Sequence, residues 1–183
     1  MIYLNNSQLK HIFFNGTKLK KIFINGINVF KSQLEYIFRN GIWLAENRNI
    51  GVYTMSGKNL VANVNVSGTT GSTRANSLWF DLDCTDAETV TLKYALVVDG
   101  SYDSHTKLKH TFKADRISRI IELQMEDGDD TVTASGNAIL NVSALTGVQR
   151  FFLETELTCR SNTEYAYTGH ATSTISGIDV SYS

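Results

Sequence analysis

Three Asn-Gly pairs, Asn15-Gly16, Asn25-Gly26 and Asn40-Gly41, fall close together at the start of the chain and limit what it can fold into. A two-residue turn of type I′ needs positive φ at both central positions, which Asn and Gly tolerate best. Residues that favour strands must then flank it. "KHIFFNGTKLKKIFINGINVF" (10–30) meets that condition twice, and "EYIFRNGIWL" (35–44) meets it a third time. Short β-hairpins in series are the expected outcome, with strands of roughly 5 to 8 residues.

Such a ribbon buries too little surface to offset its own chain entropy. Its apolar residues also fall on both faces: Leu19 and Phe23 share one parity, Ile22 and Ile24 the other. One face can rest on the rest of the molecule, and the other then needs a second chain, because an uncovered aromatic ribbon invites aggregation. Residues 1–46 are therefore expected to form an attachment or oligomerisation segment. Its candidate contacts are Ile12, Phe13, Phe14, Ile22, Phe23, Ile24, Phe38 and Trp43. The competing expectation is a meander continuous with the sheet of the body, since consecutive strands usually neighbour one another.

Charge divides the chain at the same place. Residues 1–48 hold seven Lys/Arg against Glu35 and Glu46, a balance of +5, and the remainder holds ten against sixteen, or -6. The net charge of -1 points to no nucleic-acid partner. The N-terminus lacks a basic and apolar leader, and no apolar run approaches the roughly 18 residues of a membrane helix. No membrane partner and synthesis in the cytoplasm are the expectations. Proline is absent, so any junction must bend on Gly, Ser or Asn.

"LAENRNIGVY" (44–53) loses hydrophobic density and is the expected junction to a second unit, residues 50–183. There the pattern lengthens. "LVANVNV" (60–66), "LWFDLD" (78–83) and "TVTLKYALVV" (89–98) alternate, separated by turn-forming clusters. Residues 117–125 fit both periods at first, but Ile121, Leu123 and Met125 alternate with polar neighbours, and a strand is the reading adopted. In "VQRFFLETELTC" (148–159), Phe151, Leu153, Thr155, Leu157 and Cys159 share one side, and in the closing segment Ile178, Val180 and Tyr182 do. Seven or eight strands without a convincing helix give an all-β chain: hairpin repeats followed by an antiparallel, jelly-roll-like β-sandwich.

No catalytic motif emerges. "GVYTMSGKN" (51–59) has the wrong spacing for a phosphate loop and ends on Asn59 where magnesium needs a hydroxyl. His11, His105, His110 and His170 lie in different elements, and Cys84 and Cys159 show no metal spacing, so they read as two buried thiols. No catalytic, metal or cofactor residue is assigned, and the chain is expected not to be an enzyme. "MEDGDD" (125–130) gathers carboxylates as calcium would require, but a solvated hairpin tip explains it as well.

Trp79 is the more informative residue. With Leu78, Phe80 and Leu82 inward, parity turns Trp79 outward beside Asp81 and Asp83. An indole flanked by carboxylates suits stacking on a sugar, contact with another subunit, or burial beneath a loop, and parity alone leaves all three open. Tyr102 and His105, in a loop at the expected sandwich edge, complete the candidate glycan or partner contacts.

The repeat Lys-Ile-Phe-x-Asn-Gly, as in "KKIFINGINVF" (20–30), resembles the N-terminal segments of structural proteins in tailed bacteriophages, particularly tail, baseplate and fibre components. "AILNVSALTGVQRFFLE" (138–154) is similar to closing strands of jelly-roll modules in phage receptor-binding and carbohydrate-binding proteins. The resemblance implies a virion protein whose hairpins bind other virion proteins or build a homo-oligomer, a trimer by preference. It also implies a sandwich that projects for display or contact with a host-surface glycan. A carbohydrate-binding module is the alternative reading.

Overall fold

The computed structural model describes residues 12–14, 17–19, 21–24, 27–31, 34–68, 72–100, 104–126, 130–161 and 167–182. The chain is all-β, and every strand pairing among these residues is antiparallel.

The first two hairpins form as the repeats require. β1 (Ile12–Phe14) pairs with β2 (Thr17–Leu19), and β3 (Lys21–Ile24) with β4 (Ile27–Lys31). Phe14 pairs with Thr17 and Ile24 with Ile27, which leaves a two-residue connection at each Asn-Gly. Each hairpin is a two-stranded sheet of its own.

The third repeat has a different fate. β5 (Leu34–Arg39) and β6 (Ile42–Trp43) turn at Asn40 and Gly41, with φ of 52° and 79°, the signs that a type I′ turn demands. β5 then hydrogen-bonds to β16 (Tyr167–Tyr182) within a large sheet. Residues 34–46, grouped by sequence with the attachment segment, are therefore part of the body. Phe38, expected at an assembly contact, is fully buried in the core, and Ile37 is buried beside it. Trp43 covers Phe38 at 4.8 Å between ring centroids, and the Arg48 guanidinium lies 5.4 Å from the Trp43 ring.

The expected junction also belongs to the body. β7 (Arg48–Asn49) pairs with β10 (Ser72–Asp83), Ala45 is buried, and the next turn, closed by Tyr53 N–H to the Ile50 carbonyl at 2.9 Å, sends Tyr53 into the interior. β8 (Thr54–Ser56) and β9 (Asn59–Gly68) follow as a hairpin. The remaining strands are β11 (Ala87–Gly100), β12 (Ser104–Ala114), β13 (Ile117–Met125), β14 (Thr131–Asn141) and β15 (Val148–Ser161).

Two sheets result. One runs β13-β12-β15-β10-β7; the other runs β14-β11-β16-β5-β6, with β9 beside the first half of β16 and β8 beyond it. Alternation decides what lies between them. On β10, Leu78, Phe80 and Leu82 point inward; on β15, Phe151 through Cys159 do so at every second position. The 117–125 segment is a strand, as its alternation indicates. One apolar cluster gathers around Phe38, Phe80, Phe112 and Phe151, with Phe80 stacked on Phe151 at 5.2 Å. A second gathers around Val98, Leu108, Leu157 and Tyr167.

Candidate functional site

The outer face of the five-stranded sheet carries Trp79. Its cross-strand partner on β15 is Phe152, whose partner on β12 is Lys113, and the next rung pairs Asp81 with Arg150. Trp79 is half-buried and faces outward, as its parity indicates. Arg150 lies across it, with the guanidinium carbon 3.9 Å from the ring centroid. The same guanidinium donates to both Asp81 oxygens, Nε at 2.7 Å and Nη2 at 2.9 Å. Those hydrogen bonds, with the positive charge behind them, hold the Asp81 carboxyl below the usual carboxylate range.

This geometry changes what the site can do. A sugar stacked on the covered indole face would have to displace Arg150, and Asp81 already accepts two charged hydrogen bonds. Asp83 lies one rung further on, opposite Val148, and accepts the Thr85 N–H at 2.9 Å. His105 is eight residues from Lys113 along β12, about 26 Å by strand rise, and pairs with Glu126 at 2.8 Å. The structure thus unites Trp79 with Asp81, adds Phe152, Arg150 and Lys113, and separates His105 from them. Tyr102 lies outside the described residues, as do residues 127–129 of the acidic loop. No cluster of three or more His, Cys, Asp or Glu side chains placed to hold a metal ion occurs among the described residues.

A second polar group sits inside the sandwich. The Tyr53 hydroxyl lies 2.9 Å from Thr155 Oγ1 on β15 and 2.9 Å from Ser173 Oγ on β16, so it ties the two sheets together. Thr155 Oγ1 is also 3.3 Å from His110 Nδ1 on β12, and the network falls between the two apolar clusters. His110 Nε2 is buried with no hydrogen-bond partner among the described residues. Burial pushes the imidazole down to about 4 and the Tyr53 hydroxyl up from its ordinary value. Thr155 was visible in sequence as a polar residue at an inward position of β15, and that misplaced polarity was the available signal. Nothing marked Tyr53, which lies in a turn without periodicity.

On the far side of the second sheet, Asp179 is buried between Arg39, which hydrogen-bonds one carboxylate oxygen, and Lys93, whose Nζ is 2.8 Å from the other. At the end of the same sheet, burial first and then the neighbouring Glu35 and Asp83 raise the Tyr182 hydroxyl well above its ordinary value. No helix among the described residues is long and apolar enough to cross a membrane.

No protein-family model matches the sequence, and no curated protein does. Among solved structures, the chain is similar to one of infectious bursal disease virus, Gx strain: 12% identity, TM-score 0.37, 68% of this chain and 37% of that one. It is similar to the carbohydrate-binding module TmCBM61 in complex with β-1,4-galactotriose at 12% identity and TM-score 0.31, covering 67% of this chain and 82% of that one. A GH26-CBM35 β-(1,4)-mannanase of Podospora anserina follows at 11% identity and TM-score 0.29, covering 82% and 28%.

Proposed function

We propose that the chain is a non-enzymatic structural protein of a bacteriophage particle, attached or oligomerised through its first two hairpins, with the sandwich displayed outward. The observation that carries this reading is the separation of β1–β2 and β3–β4 into two-stranded sheets of their own beside a body with its own core. An isolated pair of strands is marginal in water, so these hairpins gain their stability by docking on something else. The docking side chains are Ile12, Phe13, Phe14, Ile22, Phe23 and Ile24, and residues 1–33 supply five lysines and no acid, while 34–183 hold twelve Lys/Arg against eighteen acids. Other virion proteins or two further copies of this chain are the partners, a trimer being the favoured count. The sequence resemblance to tail, baseplate and fibre segments supports the particle.

The test is a truncation just before Leu34. A cut after residue 46 would strip β5 and Phe38 from the body. The shortened chain is expected to keep the far-ultraviolet spectrum of a β-sandwich and melt within a few degrees of the full chain while losing assembly by light scattering. Retained assembly would refute the reading.

A second reading, glycan binding by the sandwich, is favoured by the adjacency of Trp79 and Phe152 on an outer face. Trp79→Ala is then expected to abolish binding on a glycan array at unchanged melting temperature, and unaltered binding would dismiss it.

A further inference from the structure

The two outer faces of the sandwich differ in kind. That of the five-stranded sheet bristles with long charged side chains, several paired across strands: Lys113 with Glu154 at 2.7 Å, Lys107 with Glu122 at 2.9 Å and Arg150 with Asp81. On the seven-stranded sheet the outward positions in the middle of β14, β11, β16 and β9 are short. Thr133, Val97, Thr172 and Asn63 form one rung, and Ser135, Ala95, Thr174 and Val61 the next. The Thr172 hydroxyl donates to Asn63 Oδ1 at 2.9 Å, and His170 Nδ1 meets Asn65 Oδ1 at the same distance, so side-chain polarity is partly satisfied within the face. Ile139, Leu34 and Ile42, three large apolar side chains about half exposed, extend the same surface.

We infer that this face packs against the same face of a second copy of the chain, across a two-fold axis that crosses β11 at Leu96. The charge pattern of β11 selects that occupant. Lys93 lies three residues before Leu96 and Asp99 three after, both outward, about 20 Å apart. A two-fold axis in the plane of contact, perpendicular to β11, reverses the strand and brings each Lys93 over the partner's Asp99. It brings each Ala95 over the partner's Val97 at the centre. Lys93 already neutralises part of Asp179 and has donors to spare, since an ammonium carries three.

Size and cost agree. Four rungs of four strands span on the order of 27 by 20 Å, a flat footprint near ~550 Å², and accessible area exceeds the footprint because side chains stand up from it. A stable pair needs about 800 Å² per partner. Thr, Ser, Val and Ala lose little rotamer freedom on contact, whereas the lysines and glutamates of the opposite face would lose much. Two sheets meeting face to face at about 10 Å, as within a sandwich, is the expected geometry.

The experiment is sedimentation equilibrium of the full chain carrying Val97→Arg, with Thr133→Lys as a second variant on an exposed neighbouring strand and circular dichroism to show that both fold. This contact is independent of the hairpin reading, and the masses separate the two. A wild-type hexamer that becomes a trimer supports both; a dimer that becomes a monomer supports the face alone. A trimer unchanged by either folded variant overturns the face and leaves the hairpins. A wild-type monomer at tens of micromolar overturns the face as well, leaving it to some other occupant.

Discussion

Acidification should destabilise this protein through one residue, His110. Its Nδ1 faces Thr155, its Nε2 has no partner among the described residues, and burial holds its pKa at about 4 against 6.5 in an unfolded chain. Between those values the unfolded state binds a proton that the folded state refuses, so stability is complete above pH 6.5 and drains as pH falls towards 4. The full gap corresponds to about 3 kcal/mol and the loss at pH 5 to about 2 kcal/mol. A domain of ordinary stability, about 5–15 kcal/mol, would register that clearly. Urea unfolding at pH 7, 6 and 5 measures it, and His110→Leu supplies the reference, since the variant removes that imidazole and no other ionisable side chain. The wild type should lose about 2 kcal/mol more than the variant between pH 7 and 5, with equal m-values. Equal pH slopes in the two proteins would refute the claim that desolvation of this imidazole is what titrates.

Three further outcomes follow from the packing. Phe38→Ala should cost about 3–5 kcal/mol in thermal or urea unfolding, because Phe38 is fully buried under Trp43, whereas an assembly contact would lower only the oligomeric mass. Gly169→Ala should cost about 1–3 kcal/mol: a Cβ there would stand 2.9 Å from Thr106 Oγ1 and 3.0 Å from Cys159 Sγ, both buried, and a neutral result would show that β12, β15 and β16 can yield at that point. Arg150→Ala should shift the Trp79 emission maximum and raise the Asp81 pKa by NMR titration, while stability above pH 5 falls only slightly, as for other solvent-screened pairs. Because the Asp81 pKa is depressed in the fold, that small contribution vanishes as pH drops through it.

Local pattern carried most of the fold. Parity on β10 and β15 placed Leu78, Phe80, Phe151 and Leu153 inward and Trp79 outward, since a strand alternates whatever it pairs with. Partnership across the chain was illegible. Asp81 reads as an acceptor for a ligand until Arg150, 69 residues later, is found to occupy it. Tyr53 reads as linker until Thr155 and Ser173, 102 and 120 residues away, give its hydroxyl a reason to be inside. Such pairings depend on which strands lie adjacent, and neither propensity nor period encodes that.

The three Asn-Gly repeats make the same point within one motif. Strands pair antiparallel on either side of each of the three dipeptides, yet among the described residues only the third pair enters a sheet of the body. β5 is six residues long where β1 to β4 have three to five, which gives it enough rungs to pair with β16 on one edge and β6 on the other. Its charges also have fixed partners: Arg39 reaches Asp179, 140 residues on, and Glu35 lies close enough to Tyr182 to raise its hydroxyl. The lysines around the first two turns have no acid among residues 1–33 to pair with. A repeat that carries its own partner signals folds into its chain. One that carries only like charge and aromatic residues in its sequence has no such partner signal, and on that difference the assembly role proposed for the first two hairpins rests.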